Sequence, residues 1–212
     1  MTDNREITWK ETDDPAACQT NETVYQLYSR DPVRTPFQWD NTSFAGFTQG
    51  NHTWLPVHAN YPERNLKAQM EAEKSTFKFY KHIIELRKSD IFRYGALRSM
   101  AINPDVFSIV RTYEGHDPVV VFINLSLRTV LSARNTLTVN EIPQNARGRI
   151  IAATSTSNYN IGDIVNIDYV ELKDYDGIAI VIVESTTPSS ASSIVSLFSL
   201  VLMVSSVLVI LL

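Results

Sequence analysis

The residues best equipped for chemistry stand in one run of eleven: Arg30-Asp31-Pro32-Val33-Arg34-Thr35-Pro36-Phe37-Gln38-Trp39-Asp40. Arg30 and Arg34 can each present a planar fork of donors, which suits a carboxylate or the vicinal hydroxyls of a sugar. Phe37 and Trp39 add flat apolar faces that fit a pyranose ring or a protein core. Pro32 and Pro36 fix their own φ and push Asp31 and Thr35 toward extended geometry, so the run reads as a pre-shaped loop. Ordered loops of this kind tend to hold function. The residue types alone also allow a plainer reading, in which Asp31 and Asp40 brace Arg30 and Arg34 into a network that stiffens the loop.

The elements around this run change character along the chain. Residues 1–65 have no sustained helical or alternating period, and their six acidic residues before Arg30 (Asp3, Glu6, Glu11, Asp13, Asp14, Glu22) read as a solvated loop face. A loop this long serves an active site or belongs to a larger body. Phe77, Tyr80, Ile83, Ile84 and Leu86 then recur at spacings of three and four, which predicts a helix over 75–89. Ser75 suits its N-cap and Lys88 the negative end of its dipole. His82 falls on this helix and reads as a surface or packing residue, not a metal ligand.

From Gly95 the period becomes two. Residues 106–113, 119–124, 148–152 and 178–183 are rich in β-branched side chains and are separated by breakers such as Gly115-His116-Asp117-Pro118 and Asp174-Tyr175-Asp176-Gly177. Short strands in succession predict an antiparallel β-sandwich.

The run Ser29 to Asp40, followed in order by Phe44-Ala45-Gly46-Phe47, Trp54-Leu55-Pro56-Val57 and Asn60-Tyr61, resembles the segment after the eighth barrel strand of family 13 α-glucosidases of the insect maltase type. The resemblance extends from Met1 to about residue 185. It implies that residues 1–92 are the C-terminal end of a (β/α)8 barrel, a long loop plus the last helix, lying over the face where barrel enzymes build their sites. Residues 93–184 then form the β-domain that follows the barrel. In that family the arginine matching Arg30 binds the non-reducing glucose of an α-glucoside and pairs with an aspartate far upstream. Asp31, Arg34 and Asp40 are assigned to bracing the loop.

Retaining hydrolysis needs a nucleophilic carboxylate and a carboxylic acid. The resemblance adds a third and places all three before Met1, so the expectation is a C-terminal fragment that is inactive alone. Cys18 is the single cysteine. In an oxidising compartment it is expected either to pair with a cysteine in the preceding region or to be a free buried thiol. Two other functions share these features: a non-catalytic relative such as a transporter heavy chain, and a carbohydrate-binding β-domain. The first carries its membrane span before the barrel, and the second leaves the long loop and the helix unexplained.

Composition narrows the remaining classes. With 212 residues, net charge −4, 44% hydrophobic and 20% charged residues, the chain holds a core of one or two domains and has no basic bias toward nucleic acid. No glycine-rich phosphate loop, nucleophile elbow or metal-ligand cluster appears, so no cofactor is expected. Sequons at Asn21, Asn41, Asn51 and Asn124 predict an exported glycoprotein. Residues 185–193 are a Ser/Thr/Pro spacer, and the nineteen residues from Ile194 to Leu212 carry no charge. That pattern predicts a glycolipid (GPI) attachment signal, with Ser185, Ser189 or Ser190 as the attachment residue, in preference to a retained membrane helix, because no Lys or Arg follows Leu212. The expected location is the extracellular face of the plasma membrane.

Overall fold

The computed structural model describes residues 3–133, 142 and 145–184. The predicted attachment serines and the apolar run 194–212 lie outside the described residues. Among the described residues no helix is long and apolar enough to cross a membrane. The chain divides into two compact units, Met1–Arg93 with Ala152–Ser157, and Tyr94–Ile151 with the chain from Asn158 onward.

Up to Arg93 the described residues form helices and turns without a strand. Single 3-10 turns at Trp9–Glu11, Tyr25–Leu27, Asp31–Val33 and Ser43–Gly46 punctuate the long loop. Four short helices accompany them: α1 (Pro15–Cys18), α2 (Leu66–Glu71), α3 (Thr76–Leu86) and α4 (Asp90–Arg93). The expected helix over 75–89 is α3 in the main. Ser75 caps it by accepting from Lys78 N at 3.2 Å, and Ser75 Oγ also donates to Gln69 O at 2.6 Å, which ties the end of α2 to the start of α3. The helix stops at Leu86, and Ser89 begins a new turn into α4. Asn65 caps α2 in the same way, accepting from Ala68 N at 2.8 Å.

Among the described residues the second unit is an antiparallel β-domain whose strands are β1 (Ala96–Ala101), β2 (Val106–Thr112), β3 (Val119–Asn124), β4 (Val130–Ala133), β5 (Arg147–Ala153), β6 (Ile164–Asn166), β7 (Tyr169–Leu172) and β8 (Gly177–Glu184). Six of them form one sheet in the order β1-β2-β3-β8-β5-β6, and β4 pairs separately with β7. The four predicted strands are β2, β3, β5 and β8, and the other four add to that list. Alternation sets one buried face. Val106, Ser108 and Val110 of β2 stand opposite Asn124, Phe122 and Val120 of β3, and those last two stand opposite Ile178 and Ile180 of β8. All eight side chains are buried.

One predicted sequon, Asn124, lies inside this core. Asn124 is 1% exposed, and its Nδ2 donates to Arg128 O at 2.7 Å, Lys173 O at 2.5 Å and Leu172 O at 3.4 Å. Its Oδ1 accepts from Ser126 N at 3.0 Å and Ser126 Oγ at 2.9 Å, so the whole amide is used within the fold. Asn21, Asn41 and Asn51 are exposed.

Candidate functional site

The loop that carries Arg30 is held by a reciprocal clasp between residues 12–14 and residues 30–31. Asp14 Oδ2 accepts from Arg30 Nε at 2.7 Å and from Arg30 N at 2.9 Å, while Asp14 Oδ1 accepts from Arg30 Nη2 at 2.9 Å. In return Asp31 Oδ2 accepts from Thr12 Oγ1 at 2.5 Å, Asp13 N at 2.8 Å and Asp14 N at 3.0 Å. Each carboxylate therefore binds the backbone of the segment that carries the other. Asp14 also caps α1 by accepting from Ala16 N at 3.2 Å, with Pro15 at the first helical position.

Several sequence expectations change here. Asp14 was grouped with acids on a solvated face, yet its side chain is fully buried. Burial of a carboxylate is tolerated because four donors converge on it. Asp31 was assigned to bracing Arg30 and Arg34 directly; it braces the loop through Thr12, Asp13 and Asp14 instead. Asp40 likewise turns to its own segment, accepting from Thr42 N at 2.8 Å and Thr42 Oγ1 at 2.6 Å. Arg34 is exposed and is tied by its main chain, where its carbonyl accepts from Trp54 Nε1 at 3.2 Å. Cys18 is a free, exposed thiol 3.2 Å from Thr12 O, so it is not the buried thiol that was one expectation for it.

The electrostatics follow the geometry. The Arg30 side chain holds the Asp14 carboxyl far below the ordinary carboxylate range, aided by the Arg30 and Ala16 N–H groups and against the cost of burial. Asp14 in turn raises the Arg30 guanidinium. Asp40 is lowered by its bonds from Thr42. The arginine side chain remains 59% exposed while its partner is fully buried, so the pair presents a cation outward from a fixed, buried anion.

Downstream, the loop is stiffened from several sides. Asn4 N donates to Pro32 O at 2.9 Å, Gln38 Nε2 to Asn60 Oδ1 at 2.9 Å, and Leu66 N and Lys67 N to Gln38 O and Trp39 O, each at 3.0 Å. Trp39 N and Asp40 N both donate to Ala45 O, closing a turn in which Phe44, Ala45 and Gly46 have φ of 53°, 56° and 66°. Three consecutive left-handed residues are costly unless the surroundings enforce them. Phe37 and Trp39 pack at 4.7 Å between ring centroids, and Phe47 meets Trp54 edge-on at 5.0 Å. All four rings remain partly exposed. A separate polar cavity of about 690 Å³ is lined by Glu63, Arg64, Gln69, Lys74, Ser75 and Thr76 among others, and includes none of the Arg30–Asp40 run. Among the described residues no group of three or more His, Cys, Asp or Glu side chains is placed to hold a metal.

Comparison with known proteins agrees with the resemblance in the motif. Residues 1–95 match the family model described as alpha-amylase, catalytic domain. The chain is similar to Maltase 1 of Drosophila virilis, with 37% identity over 180 residues, covering 85% of this chain and 28% of the relative. It is also similar to the salivary alpha-glucosidase of Anopheles gambiae, with 42% identity over 118 residues, covering 56% of this chain and 20% of the relative. Its fold is similar to that of the trehalulose synthase MutB from Pseudomonas mesoacidophila, with a TM-score of 0.64 and 23% identity, covering 86% of this chain and 34% of that one. The chain thus spans under a third of the length of these curated relatives.

Proposed function

We propose that this chain is the C-terminal part of an α-glucosidase of the maltase type, which releases terminal α-linked glucose from maltose, sucrose or short oligosaccharides by a retaining mechanism. The observation that carries the reading is the similarity to maltases and α-glucosidases, beside a family match over residues 1–95, which include Arg30. The clasp supports it physically. A guanidinium fixed at a buried carboxylate and open to solvent at its other end is a preorganised donor for sugar hydroxyls, and a preset donor loses little freedom on binding. Both oxygens of Asp14 and one oxygen of Asp31 are held by donors within the loop, so neither suits the nucleophile or acid that the mechanism requires. Those carboxylates belong, in this reading, to the barrel region that the relatives contain and this chain does not span.

The uncharged run from Ile194 to Leu212, behind its Ser/Thr/Pro spacer, supports attachment to the outer face of the plasma membrane through a glycolipid. Release from intact cells by a phosphatidylinositol-specific phospholipase tests this. A protein that stays with the membrane while a lipid-anchored control is freed excludes the glycolipid. The activity is tested in the full-length enzyme. Arg30→Ala is expected to lower kcat/KM for maltose by about a hundredfold or more, and Arg34→Ala, whose side chain is exposed, by much less. Equal losses overturn this assignment of Arg30 to the sugar.

A further inference from the structure

We propose that Asp14 is a positioning residue for substrate: by occupying the Nε–Nη2 side of Arg30 it leaves the Nη1 end of the guanidinium to meet the sugar. The inference rests on the α-glucosidase reading above. It names a residue that the motif itself does not contain and specifies which edge of the arginine does the binding.

Three observations carry it. First, Nε and Nη2 both donate to the Asp14 carboxylate, and among the described residues Nη1 has no partner. Second, Asp14 cannot turn to follow a mobile arginine. Its oxygens also hold Arg30 N and Ala16 N, and its own backbone N–H is held by Asp31 Oδ2 at 3.0 Å. Third, the side-chain contact is more than loop anchoring requires. The main chain is already secured by Arg30 N on Asp14 and by the bonds to Asp31, whereas the guanidinium, on a side chain 59% exposed, would wander without its carboxylate. An arginine side chain carries substantial rotamer freedom, and removing it before substrate arrives favours binding. The two N–H groups of Nη1 are then left as a pair, able to reach hydroxyl oxygens or a second carboxylate without leaving Asp14.

A double-mutant cycle on maltose hydrolysis by the full-length enzyme decides the matter, using Asp14→Asn, Arg30→Ala and the two together, each checked for folding by thermal unfolding. Asp14→Asn is expected to reduce kcat/KM by about 10- to 100-fold, because misplacing a binding group by an ångström costs that much. The double variant is expected to be no worse than Arg30→Ala, since Asp14 acts through the arginine. Losses that multiply instead mean that Asp14 supports activity only by stabilising the fold, and overturn the proposal. If Arg30→Ala leaves kcat/KM unchanged, the sugar contact itself is wrong and both readings fall. Should Asp14→Asn not fold, Asp14→Glu enters the same cycle. It keeps the charge but displaces the guanidinium by a methylene, and kcat/KM is expected to drop at least about tenfold; wild-type kinetics in that variant overturn the proposal.

Discussion

Asp14 and Arg30 share three hydrogen bonds of 2.7–2.9 Å, two from the guanidinium and one from the arginine's own backbone N–H. The relationship has a consequence for pH. The Asp14 carboxyl is depressed in the folded protein, first by the Arg30 side chain and then by its N–H. Such a group contributes stability that is fully present above the unfolded aspartate value of about 3.9, and that fades as pH falls below it toward the depressed folded value. Unfolding temperature is therefore expected to fall steeply below about pH 4. In Asp14→Asn the neutral-pH value should be lower and this part of the acid slope should disappear. An unchanged acid slope in the variant would assign the linkage to other carboxylates.

Gly46 and Asp40 form a second close relationship. A Cβ on Gly46 would lie 2.6 Å from Asp40 Oδ1, and the glycine has φ of +66°. Gly46→Ala is expected to destabilise by about 1–3 kcal/mol, combining left-handed strain with the collision. The two causes separate in the double variant Gly46→Ala with Asp40→Ala. Removing the carboxylate relieves the collision but leaves the φ strain, so urea unfolding should show losses smaller than the sum of the single variants. Strictly additive losses would show that the carboxylate moves aside at no cost.

Ser108 offers the opposite test, a change expected to help. Its Oγ is buried in β2 between Met100 and Phe122 and has no hydrogen-bond partner among the described residues. An unsatisfied buried hydroxyl costs roughly 1–3 kcal/mol, and alanine removes it with little loss of volume. Ser108→Ala is expected to raise the urea midpoint modestly with no change in the slope. A lower midpoint would mean that the hydroxyl finds a partner in solution, such as an internal water.

The contrast between these sites explains what could be read from residues alone. Pattern signals survive into the structure: the three-four spacing and Ser75 became α3, and the β-branched runs became β2, β3, β5 and β8. The missing strands had weak signals for physical reasons. β1 is exposed along nearly its whole length and so lacks alternation, and β6 is only three residues long. The motif around Arg30 was legible because its residue types are unusual in combination. Its partner was not, because Asp14 lies sixteen positions away across a stretch with no regular period. Only the crossing of two irregular segments brings them together. Residue type alone does not separate Asp14 from Asp13, one position earlier, which is exposed. Asp14 did sit immediately before a proline and two alanines, a helix-start signal that could have separated it from its neighbours.

Asn124 shows the same limit in a short motif, and it carries the last prediction. The triplet Asn124-Leu125-Ser126 reads as a glycan acceptor whether it lies at the surface or in a core. In the fold the Nδ2 atom joins the segment after β3 to the end of β7 and the residue that follows it, by donating to Arg128 O, Leu172 O and Lys173 O. A glycan would replace one of its two hydrogens and would need room at a residue that is 1% exposed. Glycopeptide mapping of the folded protein produced through a secretory pathway is therefore expected to find Asn124 bare, with any glycan confined to Asn21, Asn41 and Asn51. Mutation tests the donor role independently. Asn124→Asp places acceptor oxygens against three carbonyls, and should destabilise by about 3 kcal/mol or more through lost bonds and an unpaired buried charge. Ser126→Ala destroys the same sequon but keeps the Asn124 donors, so it should cost about 1 kcal/mol or less. Similar losses in the two variants, or a glycan on Asn124 in the folded protein, would contradict this account of the amide.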